Sequence, residues 1–115
     1  KTMYELSHRS QVQVVKDQFG SPTYAPHLAA ALAQLIETEA FGIYHFAGHG
    51  GTSRLELTQT LYELLGVGVV VEPITTDQMP RPAQRPLNAI LTTLQEPHIE
   101  LPPWQDGVAQ FVRSL

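Results

Sequence analysis

The sequence predicts an α/β fold in which short strands alternate with amphipathic helices. Valine alternates with glutamine from Gln11 to Val14, as expected for a strand with one buried face. Later segments carry leucines at three- and four-residue spacing, which is typical of helices. We expect about three helices and three short strands, which is sparse for an independent sheet and indicates that part of the core lies elsewhere.

The first strand, Gln11–Val15, leads through a polar turn to the first helix. Pro26 suits the first helical turn, and Gly42 is placed to end the helix in a left-handed conformation. The apolar face of this helix is formed by Leu28, Leu32, Leu35 and Ile36.

The second strand is predicted at Ile43–Ala47 and is followed by a glycine turn, Gly48–Gly51. Ser53 and Glu56 have the spacing of a capping box, and Gly66 is placed to end the helix that follows. The apolar face of that helix is formed by Leu57, Leu61, Leu64 and Leu65.

The β-branched run Val67–Val71 predicts a third, well-buried strand. A proline-rich loop then extends from Pro73 to Pro86. The last helix follows Pro102 and Pro103, and its apolar face is formed by Trp104, Val108, Phe111 and Val112.

Composition excludes several classes of function. The chain has 115 residues, of which 43% are hydrophobic, so it forms one domain or part of one. A net charge of −4 gives no electrostatic basis for binding nucleic acid. There is no cysteine, hence no disulfide or thiolate metal site, and no apolar run approaches the ~20 residues of a membrane span. We expect a cytoplasmic protein without nucleic-acid or membrane partners.

The glycine turn after the second predicted strand has two interpretations. A strand, a glycine turn and a helix N-terminus can cradle a pyrophosphate, with Glu72 near the position of a ribose ligand. Alternatively, the glycines permit a tight turn and Ser53 caps the helix. We favour the second interpretation, because a dinucleotide-binding sheet needs more strands than this chain contains.

Other polar residues give weaker signals. His45 and His49 are four residues apart, but glycines break any helix that would align them, so zinc binding is not favoured. Asp17 suits either acid–base chemistry or the capping of a turn, and the second role is more common at a strand end.

Two arginines, Arg81 and Arg85, lie in the proline-rich loop. Proline restricts the backbone, so the guanidinium groups would lose little freedom on binding a phosphate. The alternative is a stiff linker with solvated charges.

Two segments resemble the dTDP-4-dehydrorhamnose reductase family of the extended short-chain dehydrogenases/reductases. They are VVKDQFGSPTYAPHLA, from Val14 to Ala29, and RPAQRPLNAIL, from Arg81 to Leu91. The resemblance covers the chain from about Val12 onward. It implies that residues 1–115 are the carboxy-terminal, substrate-binding region, and that an amino-terminal cofactor domain holding NADPH lies outside this chain.

The same resemblance implies site residues. It assigns a nucleotide diphosphate contact to Arg85, with Arg81 second, and makes Gln18, Gly20 and Thr23 candidates for lining the cleft. The implied ligand is a dTDP-sugar nucleotide, and a homodimer is possible within the family.

The family's Tyr-x-x-x-Lys catalytic pair is missing from the sequence. The chain has two lysines, and none of its four tyrosines has a lysine four residues later. We therefore expect no catalytic residue, bound cofactor or metal in this chain alone. Two hypotheses follow: the substrate-side region of a reductase that makes dTDP-L-rhamnose, or a non-catalytic, reductase-like regulatory or interaction module.

Overall fold

A computed structural model describes residues 2–115 as an α/β arrangement of four helices and four short strands. The helices are α1 (Thr2–Leu6), α2 (Ala25–Leu35), α3 (Arg54–Leu65) and α4 (Trp104–Arg113). The strands are β1 (Gln11–Val15), β2 (Phe19–Gly20), β3 (Thr52–Ser53) and β4 (Val70–Ile74). A single 3-10 turn, Thr76–Gln78, follows β4. Across residues 2–115, no helix combines the length and the apolarity that a membrane crossing requires.

Two separate strand pairs organise the chain. In the first, β1 and β4 are parallel, with Val12 opposite Val71. In the second, β2 and β3 are antiparallel, with Phe19 opposite Ser53. The parallel pair is joined through α3, which packs against β1 and against α4.

The core lies between β1, α3 and α4. Its buried members are Val12, Val14, Leu61 and Tyr62. The Tyr62 hydroxyl donates a hydrogen bond to the Met3 carbonyl oxygen at 3.0 Å, so this buried phenol has a partner, and burial raises its pKa. Part of α1 therefore closes one end of the core, although no sequence pattern predicted that helix.

Several predicted elements are confirmed. The strand Gln11–Val15 forms as expected, with alternating valines buried. Ser53 caps α3 by accepting the Glu56 amide at 3.1 Å, and Gly66 ends the helix at a φ of 68°. The last helix begins at Trp104, which is buried.

The predicted strand at Ile43–Ala47 is wrong, because this segment has no backbone neighbour among the described residues. A strand needs a hydrogen-bonded partner, and here side chains occupy two of the carbonyl groups. Gln95 donates to the Ile43 oxygen at 3.3 Å, and Thr93 donates to the His45 oxygen at 2.7 Å. The Ile43 side chain is 78% exposed.

The third predicted strand is displaced along the chain. It begins at Val70 rather than Val67, and Val70 is exposed because the sheet has only two strands and nothing covers its outer face within residues 2–115. The expectation of a well-buried strand is wrong for the same reason.

The first predicted helix ends earlier than expected. It stops at Leu35, and Gly42 lies beyond it in the following loop. Of the predicted apolar face, Leu32 and Ile36 are exposed, and the buried residue of α2 is Ala31. On α3, Leu64 is likewise exposed. The spacing identified both helices correctly but not how much of each face is covered.

Candidate functional site

The candidate site is a cleft whose floor is the segment from Gln18 to Gly20. One neighbour of this segment is β3, and the Arg54 amide donates to the Gln18 carbonyl oxygen at 3.1 Å. The other neighbour is the end of the proline-rich loop. There the Phe19 amide donates to the Leu87 carbonyl oxygen at 2.8 Å, and the Ala89 amide donates to the Phe19 carbonyl oxygen at 2.9 Å. Three distant parts of the chain thus meet in one short layer.

These pairings place two arginines around one cavity. The cavity has a volume of about 370 Å³, and Gln18, Gly20, Arg54 and Arg85 contribute to its lining. Arg54 enters from the start of α3, and Arg85 enters from the proline-rich loop. A second hollow of about 360 Å³ shares Gln18 and Arg85 and adds Arg81. The two hollows therefore form a continuous basic region along the loop.

No counter-ion neutralises this region within residues 2–115. The salt bridge found among residues 2–115 joins His98 and Glu100 and involves none of the three arginines. Partial burial lowers the pKa of Arg54, and the charges of Arg85 and Arg81 lower it further. Arginine remains charged despite such shifts, so the cleft carries concentrated positive charge suited to an anion.

Asp17 holds the loop rather than facing the cleft as a free carboxylate. One of its oxygens accepts the Thr76 hydroxyl at 2.6 Å, and both oxygens accept the Thr76 amide, at 3.0 and 3.2 Å. The Thr76 side-chain hydrogen bond is the largest cause of a lowered pKa for Asp17. Asp17 therefore links the end of β1 to the 3-10 turn that follows β4, which is a structural role rather than acid–base chemistry.

Thr23 lines neither of the two hollows that contain Arg85, but it shares a third groove with Arg54. Its hydroxyl donates to the Ser21 carbonyl oxygen at 3.0 Å and accepts the Gly48 amide at 3.1 Å. It lines a neighbouring groove, of about 350 Å³, between α3 and α4. The structure thus brings Gln18, Gly20 and both loop arginines together and places Thr23 one groove away.

The glycine turn is explained by packing. A Cβ on Gly48 would lie 2.0 Å from the Pro22 carbonyl oxygen, so only glycine permits this approach. The His49 amide donates to the Pro102 oxygen at 3.1 Å, and the Gly48 amide is already bonded to Thr23. A turn whose amides are engaged in this way does not fit the diphosphate of a dinucleotide.

The histidines are dispersed. Among residues 2–115, no three His, Cys, Asp or Glu side chains come together as a possible metal site. His27 contacts Tyr24 edge-on, and His98 lies 2.9 Å from the Glu100 carboxylate.

Arg54 is the site residue that sequence reasoning missed. It follows the N-cap of α3, where a cation is disfavoured by the helix dipole. A basic residue at such a position was the available signal, but its distance in sequence from Arg85 concealed their proximity.

Comparison with known proteins places this geometry in a family. A dTDP-4-dehydrorhamnose reductase from Mycolicibacterium smegmatis is 36% identical over 109 residues, covering 90% of this chain and 33% of that protein. The enzyme of the same name from Burkholderia thailandensis is 34% identical over 137 residues, covering 100% of this chain and 46% of that protein. The chain thus spans less than half the length of these relatives.

Solved structures show the same fold. The Bacillus anthracis dTDP-4-dehydrorhamnose reductase, crystallised in complex with NADP, superposes with a TM-score of 0.89 at 30% identity. The match covers 98% of this chain and 41% of that one. The fold is therefore that of a part of an NADP-binding, extended short-chain reductase. Residues 1–115 match the family described as RmlD substrate binding domain, and the chain belongs to that family.

Proposed function

We propose that residues 1–115 are the carboxy-terminal, substrate-side region of a dTDP-4-dehydrorhamnose reductase. The observation that carries the proposal is the unneutralised cleft between Arg54 and Arg85, with Arg81 beside it. A nucleotide diphosphate presents adjacent anionic oxygens, which guanidinium groups bind with paired hydrogen bonds. The implied ligand is a dTDP-sugar nucleotide, and its diphosphate would lie along the loop.

The reaction requires a second domain. We infer that an amino-terminal domain holds NADPH and the Tyr-x-x-x-Lys pair, and that the whole protein reduces dTDP-4-dehydro-L-rhamnose to dTDP-L-rhamnose in the cytoplasm. NADPH supplies the hydride, and the tyrosine protonates the carbonyl oxygen. Such acid–base assistance contributes about 10²–10⁴ in rate. This chain alone is expected to oxidise no NADPH, because it lacks that pair.

The exposed apolar residues support the inference that a second domain packs against this chain. Ile36 and Ile43 are each 78% exposed, and Phe41 is 90% exposed. Exposed apolar side chains so close together indicate a missing partner surface. We infer that the cofactor domain covers them and that the segment 43–47, which has the composition of a strand, pairs with the sheet of that domain. A second copy of the chain would bind the same surface in a homodimer.

The substrate assignment is tested by titrating the isotopically labelled chain with dTDP-L-rhamnose and recording amide and arginine side-chain NMR signals. We expect saturable shifts around residues 81–88. Arg85→Ala should weaken binding at least about tenfold, because a charge-assisted hydrogen bond to the diphosphate is lost. Arg113→Ala is the matched control, since Arg113 lies at the end of α4 outside the cleft lining.

The same variants are then compared in the full-length protein by NADPH oxidation. A raised KM in Arg85→Ala but not in Arg113→Ala would support the proposal. An unchanged KM in both would contradict the assignment of Arg85. Failure of the wild-type full-length protein to oxidise NADPH with the 4-keto sugar would instead favour a non-catalytic, reductase-like module.

A further inference from the structure

Arg54 occupies a position that local structure disfavours. It is the first residue of α3, directly after the N-cap Ser53, so its charge lies at the positive end of the helix dipole. Its backbone is fixed on both sides. The Arg54 amide donates to the Gln18 carbonyl oxygen at 3.1 Å, and the Arg54 carbonyl oxygen accepts a hydrogen bond from the Thr58 hydroxyl at 2.8 Å. The start of the side chain is therefore held at the rim of the cleft.

The surrounding charges add to this disadvantage. Arg85 and Arg81 are near enough for their charges to lower the pKa of Arg54, beyond the larger effect of its partial burial. Two carboxylates that are near in sequence to Arg54 or to its backbone partner Gln18 are engaged by threonines instead. Glu56 accepts the Thr52 hydroxyl at 2.6 Å, and Asp17 accepts that of Thr76. Within residues 2–115, no carboxylate forms an ion pair with Arg54.

A residue that breaks local rules without an internal compensation marks a functional position. We propose that Arg54 is a diphosphate-binding residue and that it makes the cleft select a diphosphate over a monophosphate. Arg85 contacts one phosphate from the loop wall, and Arg54 contacts the other from the α3 wall. The inference deepens the proposed function, because it concerns the same cleft.

The geometry explains why the second phosphate matters. Arg54 and Arg85 line one cavity from opposite sides of the Gln18–Gly20 floor. A diphosphate supplies an oxygen group for each wall and relieves the repulsion between the two cations. A monophosphate can form paired hydrogen bonds with only one of the two arginines, so it leaves the other without an anionic partner.

The test is calorimetric titration of the full-length protein with dTDP, dTMP and inorganic pyrophosphate. Arg54→Gln, which removes the charge but leaves a polar side chain, is compared with Arg113→Gln as the control. We expect Arg54→Gln to weaken dTDP and pyrophosphate binding at least about tenfold and dTMP binding by less than about threefold. Arg54→Lys should restore part of the preference, because it returns the charge but not the paired donors.

Thermal unfolding separates ligand binding from a structural role. Removing the disfavoured charge should leave the melting temperature of Arg54→Gln unchanged or raised. A lowered melting temperature together with equal losses for all three ligands would overturn the inference, because it would show a structural role.

The remaining outcomes distinguish the inference from the proposed function. If dTDP binds and only Arg85→Ala weakens it, the role of Arg54 is overturned and the proposed function stands. If pyrophosphate binds through Arg54 but dTDP binds no more tightly than pyrophosphate, Arg54 is a diphosphate-binding residue and the nucleotide substrate is contradicted. If the wild-type full-length protein binds none of the three ligands, both are overturned.

Discussion

The two long helices of this chain differ in how their apolar side chains are covered. Helix α3 packs against β1 and α4, and it buries Leu61 and Tyr62. Helix α2 buries only Ala31, and it leaves Leu32 46% exposed and Ile36 78% exposed. Both helices carry leucines at helical spacing, so periodicity alone does not separate them. Their difference shows that one half of the chain completes its own core and the other half presents a surface.

This division corresponds to the proposed arrangement of the whole protein. The half built on α3 holds one wall of the cleft through Arg54, and its core keeps that wall in place. The half built on α2 carries the exposed residues that we assign to the contact with a cofactor domain. A substrate region thus needs rigidity on one side and an incomplete surface on the other.

The largest expected effect separates the two helices directly. Leu61→Ala should lower the free energy of unfolding by about 2–4 kcal/mol, because it leaves a cavity in the core. Ile36→Ala, on the exposed surface, should change it by no more than about 0.5 kcal/mol. Urea denaturation of both variants measures the difference. Equal losses would show that α2 packs within the chain after all.

An intermediate effect concerns self-association. The residues at the exposed end of α2 and beyond it should drive association of the chain, because apolar surface is removed from water. We expect the double change Ile36→Ser and Phe41→Ser to shift sedimentation velocity profiles toward monomer. The control is Leu64→Ser, an exposed leucine of similar type on α3. If the control has the same effect, or the wild type is monomeric at every concentration, the surface at the end of α2 does not drive self-association.

The smallest effect concerns acid stability of the better-packed half. Hydrogen bonds from Thr76 keep the pKa of Asp17 below its ordinary value of about 3.9. A lowered pKa in the folded state stabilises the fold above the unfolded pKa, and this contribution is lost as pH falls through the folded pKa. Thr76→Val should therefore raise the pKa of Asp17 and flatten the loss of stability in acid. Carboxyl carbon NMR during a pH titration measures that pKa, and an unchanged value would refute the account.

Local signals predicted much of the fold correctly. Alternating valines identified β1, and the Ser53 cap and Gly66 defined both ends of α3. These features depend on residues close in sequence, which is why the sequence revealed them. The segment 43–47 has strand composition, but a strand depends on a neighbour, and none is present within the described residues. The predicted helix end at Gly42 failed because the chain leaves the helix several residues earlier, at Leu35.

The site was predicted only in part for a related reason. The loop arginines stood out through their motif, and the structure places Arg85 in the cleft with Gln18 and Gly20. Arg54 enters the same cleft through the antiparallel pairing of β2 with β3, which are two residues each. Pairing between segments so short and so distant leaves no periodic trace in the sequence. The roles of these residues in binding stay predictions.

The proline-rich loop is attached at both ends to one short stretch of chain. Thr76 is bonded to Asp17 where the loop begins, and Leu87 is bonded to Phe19 where it ends. Residues 77–86 therefore leave and rejoin the body at nearly the same place, as in an Ω-loop. Closing a longer or shorter loop between fixed ends costs little extra entropy. The length of this segment can consequently change at little cost to the fold, because the hydrogen bonds that hold its two ends lie outside it.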